Sequence, residues 1–103
     1  MGQSRSLMPF IATDEGPLLM HPDEVMTLKE AAHRANRSVD ATRRIVHEYR
    51  IYRQMGRSGR IEVSALGLEM VLHDDCVALD FLRAGERSNP VVAKYLRHLG
   101  LSS

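Results

Sequence analysis

The chain has 103 residues, a mass of 11.6 kDa and a formal net charge of +1, which suits one small domain with some tail and cannot hold two full cores. A hydrophobic fraction of 44% beside 26% charged residues is ordinary for a globular chain and excludes wholesale disorder. Cys76 is the single cysteine, which rules out an internal disulfide framework and a multi-cysteine zinc site.

Residues 1–24 read as a flexible N-terminal tail, because Gly2, Pro9, Gly16, Pro17 and Pro22 interrupt any helical period. Apolar runs such as residues 7–12 fall far short of the roughly 18 residues that cross a bilayer. Arg5 alone precedes that run, too little for a secretion signal. A cytoplasmic protein with no membrane partner is the expectation, with ordered structure starting at Thr27.

Thr27 followed three residues later by Glu30 is a capping-box pattern, in which each side chain satisfies the other residue's free amide. It predicts a helix from Leu28 to about Ala35, ending at Asn36, a residue that tolerates the left-handed conformation. Ser38 is then an N-cap for a second helix from Val39 to about Tyr49. Two short helices joined by a turn of about three residues form a helix-turn-helix candidate. At about 100° per residue, Val39, Thr42, Ile45, Val46 and Tyr49 cluster on one side of the second helix. Asp40, Arg43, Arg44 and His47 fall on the opposite side, so one face is core and the other is basic and hydrogen-bonding.

Residues 51–55 and 60–63 are short runs of partial alternation around Gly56-Arg57-Ser58-Gly59, which predicts a β-hairpin. Ile51, Met55, Ile61 and Val63 are expected to face the helices, and Arg53, Arg57 and Arg60 to face out, so that the hairpin forms a basic wing. Residues 64–83 read as one helix rich in Leu, Met and Val, broken only by Gly67. Asn89 as cap and Pro90 at the first helical position open a last helix that Gly100 ends.

The small total charge hides an uneven distribution. Between Lys29 and Arg60 there are nine basic residues, eight of them Arg, against the acids Glu30, Asp40 and Glu48. That window carries +6 and leaves −5 for the rest of the chain. Such a local field attracts a polyanion, and the guanidinium fork binds phosphate and guanine edges through two parallel hydrogen bonds. A merely solvated charged face is the plain alternative.

Thr27-Leu28-Lys29-Glu30-Ala31-Ala32, then Ser38 opening a helix with Arg43-Arg44, then Arg50-Ile51, a Gly/Arg/Ser turn, Arg60-Ile61 and Ser64-Ala65-Leu66 follow one another in a telling order. The succession closely resembles the small winged-helix DNA-binding domains of the excisionase and MerR-like group, over residues 27–66. This resemblance implies that the second helix reads the major groove and that the hairpin contacts backbone or minor groove. Four positions depart from the family's pattern: Asn36-Arg37 stand for its glycine and aliphatic residue, Thr42 for a buried aliphatic, and Tyr52 for a frequent proline.

The expected fold is therefore mainly α with a small β-hairpin. A winged helix-turn-helix spans residues 25–66, and C-terminal helices over 67–103 complete the core or mediate dimerisation. The expected partner is double-stranded DNA, bound sequence-selectively by a small transcriptional regulator, with a homodimer as a second partner relationship. An excisionase-like recombination factor or a phage terminase small subunit are alternatives within DNA binding, and a winged-helix protein-interaction module is the alternative outside it. Ser38, Asp40, Arg43, Arg44 and His47 on the helix and Arg53, Arg57 and Arg60 on the wing are the candidate contacts. Arg34, Arg37 and Lys29 flank the same surface. His73, Asp74, Asp75 and Cys76 are the cluster nearest to a metal site, but no second Cys/His pair completes it, and Cys76 reads as a small buried hydrophobe. With no phosphate loop, dinucleotide fingerprint or nucleophile elbow, neither an enzyme nor a cofactor is expected.

Overall fold

The computed structural model describes residues 20–54 and 60–101. Over these residues the protein is mainly helical, with five α-helices and one small antiparallel sheet of three strands. A 3-10 turn (Pro22–Glu24) leads into β1 (Val25–Thr27), α1 (Leu28–Ala35) and α2 (Val39–Tyr49). The strands β2 (Tyr52–Gln54) and β3 (Ile61–Ser64) follow, then α3 (Ala65–Leu72), α4 (Cys76–Arg83) and α5 (Pro90–His98).

Each helix starts where a short polar side chain caps it. The Thr27–Glu30 box is closed in both directions: the Glu30 amide donates to Thr27 Oγ1 at 3.0 Å, and the Thr27 amide to Glu30 Oε1 at 2.8 Å. Ser38, Ser64, Asp75 and Asn89 cap the other four helices. The helices also stop in one way. Asn36, Arg50, Asp74, Gly85 and Gly100 all have left-handed backbone, with φ between 53° and 80°. In each case the next residue's amide reaches back five positions, as from Arg37 to the Ala32 carbonyl at 3.0 Å and from Ile51 to Val46 at 3.1 Å.

Strand β3 lies in the middle of the sheet, in the order β1-β3-β2. Val25, Met26 and Thr27 pair with Ser64, Val63 and Glu62, while Tyr52, Arg53 and Gln54 pair with Val63, Glu62 and Ile61. Regular structure thus begins before the expected start at Thr27 and takes in residues 22–24, which were expected to belong to a flexible tail. Met20 and Glu24 are buried, and the Glu24 carboxylate pairs with Arg87, 63 positions along the chain. A third strand was not legible in Val-Met-Thr, which is too short to show alternation. Residues 1–19, Met55, residues 56–59 where a turn was expected, and residues 102–103 lie outside the described residues.

One hydrophobic cluster joins the two halves of the chain. Val46 and Ile51 from the first half meet Leu66, Met70, Leu82 and Leu96 from the second. Helix α3 runs through its middle, with Leu66 to Met70 buried without interruption, as expected of a helix surrounded by protein.

The single helix expected over residues 64–83 is two helices. Gly67 does not break it. That glycine sits inside α3, where an added Cβ would lie 2.7 Å from Ile51 Cγ2. The break falls at residues 73–75, where Asp74 turns left-handed and Asp75 caps α4 through the Ala78 amide. Cys76, expected to be buried, is exposed as the first residue of α4. Among the described residues, no helix is long and apolar enough to cross a membrane.

Candidate nucleic-acid interface

Helix α2 is positioned from within. Val46 is fully buried and Thr42 nearly so, and the Thr42 hydroxyl donates to the Ser38 carbonyl at 2.8 Å. This bond lets a threonine occupy the apolar position by satisfying its hydroxyl inside the helix. The Asn36-Arg37 turn is accommodated as well, because Asn36 takes the left-handed conformation and the Arg37 side chain is exposed. Ser38 spends its hydroxyl on the Ala41 amide, at 3.1 Å, so its part is to begin the helix.

The outer side of α2 carries Asp40, Arg43, Arg44, His47 and Glu48, all exposed. Asp40 Oδ1 accepts from Arg43 Nη1 at 2.8 Å, which orders the guanidinium and leaves its other donors open among the described residues. Arg44 has no ion pair or hydrogen bond among the described residues. The His47 ring lies 4.4 Å from the Tyr52 ring, centroid to centroid, and so links α2 to the first hairpin strand. Tyr52 thus provides an aromatic brace between helix and hairpin.

One candidate contact, Arg53, and one flanking residue, Arg34, are otherwise engaged. Arg53 stands opposite Glu62 in the sheet and donates to its carboxylate through Nε at 2.7 Å. Arg34 points from α1 to Glu69 of α3, with Nη2 at 2.9 Å and Nε at 3.1 Å from one carboxylate oxygen. Arg60 is exposed and borders an open depression with Val25, Met26, Thr27, Glu30 and Glu62. Arg57 lies outside the described residues. Val39, expected on the core side, is instead 39% exposed. As the first helical residue it has no preceding turn to lie against.

Other elements hold a different set of charges. Glu69, with 8% of its side chain exposed, receives Arg34 on one oxygen and has His73 Nδ1 and His98 Nε2 each 3.7 Å from the other. Asp75 accepts from the Ala78 amide at 3.0 Å and from the Tyr95 hydroxyl at 2.7 Å. The Ala78 amide, the Tyr95 hydroxyl and the charges of Lys94 and His73 together hold the Asp75 carboxyl below the usual carboxylate range, against a smaller opposing effect of burial. Burial first, and then the neighbouring Asp75, push the Tyr95 hydroxyl up to about 12. Among the described residues, no three His, Cys, Asp or Glu side chains converge in a way that holds a metal ion.

The chain matches no protein-family model, no curated protein and no solved structure.

Proposed function

We propose that the chain binds double-stranded DNA sequence-selectively, as a small cytoplasmic transcriptional regulator. Helix α2 enters the major groove, and the β2–β3 hairpin lies along the flanking backbone as a wing. The carrying observation is α2 itself: its inner side is locked into the core, while Arg43, Arg44 and His47 stand together on an exposed outer side. The resemblance of residues 27–66 to excisionase and MerR-like winged helices supports the same reading. Arg43 and Arg44 are the base-reading side chains. Each bidentate arginine–guanine pair contributes about 1–3 kcal/mol of discrimination. Arg60 and Arg57 are assigned to phosphate, which positions the protein without specifying sequence.

Selection of bound duplexes from a random double-stranded pool at moderate salt tests the proposal. A defined motif is the expected result, with affinity falling as salt rises, by a log–log slope of about −0.9 for each phosphate neutralised. A palindromic motif would add a symmetric pair of copies. Equal binding by the Arg43→Ala/Arg44→Ala double variant would overturn the assignment of α2. No DNA binding by the folded protein would overturn the function and favour an acidic protein partner for the same face.

A further inference from the structure

We infer that Val39 and Arg43 form a two-residue reader for a thymine close to a guanine, an inference that rests on the DNA-binding proposal. Val39 and Val77 are the large hydrophobic residues exposed among the described residues, and Val77 lies away on α4. Val39 stands at the border of the two sides of α2, between buried Val46 and exposed Arg43, and its place in the first turn leaves it exposed. It is also the first residue after the Ser38 cap, at the end of the helix that meets base edges when such a helix enters the major groove.

The major groove offers one apolar group to a protein, the C5 methyl of thymine. Valine suits that contact. Its branched Cβ leaves one strongly preferred rotamer in a helix, so its methyl groups are already placed before binding. Arg43 stands one turn further along the same side, and side chains four apart are about 5–6 Å from each other. That separation keeps the two contacts within two base-pair rises of about 3.4 Å. Asp40 accepts from Nη1 of Arg43 at 2.8 Å, which leaves Nε and Nη2 without a partner among the described residues, the pair of donors that guanine O6 and N7 accept. Asp40 thereby acts as a positioning residue for Arg43.

The test starts from the motif enriched in the random pool and replaces each thymine in turn by deoxyuridine, which removes the C5 methyl and nothing else. At one position, or at a symmetric pair, the wild type is expected to lose about fourfold in affinity, the fold-change for one buried methyl-sized group. Val39→Ala is expected to bind the thymine and deoxyuridine forms equally. Val39→Thr, which keeps the branch and one methyl, should retain part of the difference. Replacing the nearby guanine by 7-deazaguanine should weaken the wild type and leave Arg43→Ala unchanged. Circular dichroism and thermal unfolding of each variant, expected to match the wild type, separate contact from folding. A motif without thymine, or deoxyuridine effects identical in wild type and Val39→Ala at every position, overturns this inference alone. A pool with no enriched motif overturns both it and the sequence-selective reading on which it rests.

Discussion

Arg34 and Arg43 each hold a carboxylate at about the same distance, 2.9 and 2.8 Å, in opposite surroundings. The partner of Arg34 is Glu69, 8% exposed and 35 residues away, whereas the partner of Arg43 is Asp40, 82% exposed and three residues away on the same helix. The contrast extends to the rest of the molecule. Glu24–Arg87 and Arg34–Glu69 join elements distant in sequence through buried carboxylates, and the Tyr95–Asp75 hydrogen bond joins two more. On the outer face of α2 the polar groups are exposed, Arg43 is paired only locally with Asp40, and donors are left for a partner. Charge on this chain has two uses, and burial of the carboxylate separates them.

The largest expected effect is at the most buried pair. Glu24 is 1% exposed, so Glu24→Ala leaves the Arg87 guanidinium without its counter-charge and should cost about 3–5 kcal/mol in urea unfolding. A loss near zero would break the comparison at its buried end. Glu69→Ala should cost less, about 1.5–3 kcal/mol, because Arg34 is 44% exposed and regains water.

The Tyr95–Asp75 pair is read through pH. Asp75 has a lowered folded pKa, so its contribution is present above the ordinary value of 3.8 and is lost as pH falls through the folded value. Tyr95 has a raised one, so its contribution is present below 10 and is lost as pH climbs from 10 to about 12. Tyr95→Phe should abolish the alkaline loss and shrink the acid one when the urea midpoint is followed against pH. The smallest effect on stability belongs to Asp40→Ala, within about 0.5 kcal/mol, as for other exposed helix pairs. The same variant should weaken DNA binding by loosening Arg43. A marked destabilisation with unchanged DNA binding would reverse the two uses of charge.

What was legible in the sequence was local. The Thr27–Glu30 box, the Ser38 cap, Asn36 as a left-handed stop and Asn89-Pro90 as a start are signals within four residues, and each marks an observed helix boundary. The exposed side of α2 also followed from its periodicity, apart from Val39. What was not legible depends on distance or competition. Nothing near Glu24 or Glu69 announces Arg87 or Arg34. The Asp75 cap was hidden because the apolar pattern continues on both sides of it. Arg50 was equally silent as a left-handed stop, since arginine has no local preference for that conformation.

Gly67 carries a consequence for substitution. Its backbone rests against Ile51 with no room for a methyl group, its amide donates to Ser64 Oγ at 2.9 Å, and the Ser64 amide donates to the Ile51 carbonyl at 2.9 Å. Ile51 is the first residue after the reversal that ends α2, and Ser64 is the last residue of β3. These three residues therefore tie the end of α2, the end of β3 and the start of α3 together at one close contact. A side chain added at Gly67 would therefore disturb the end of α2, the end of β3 and the first turn of α3 at once.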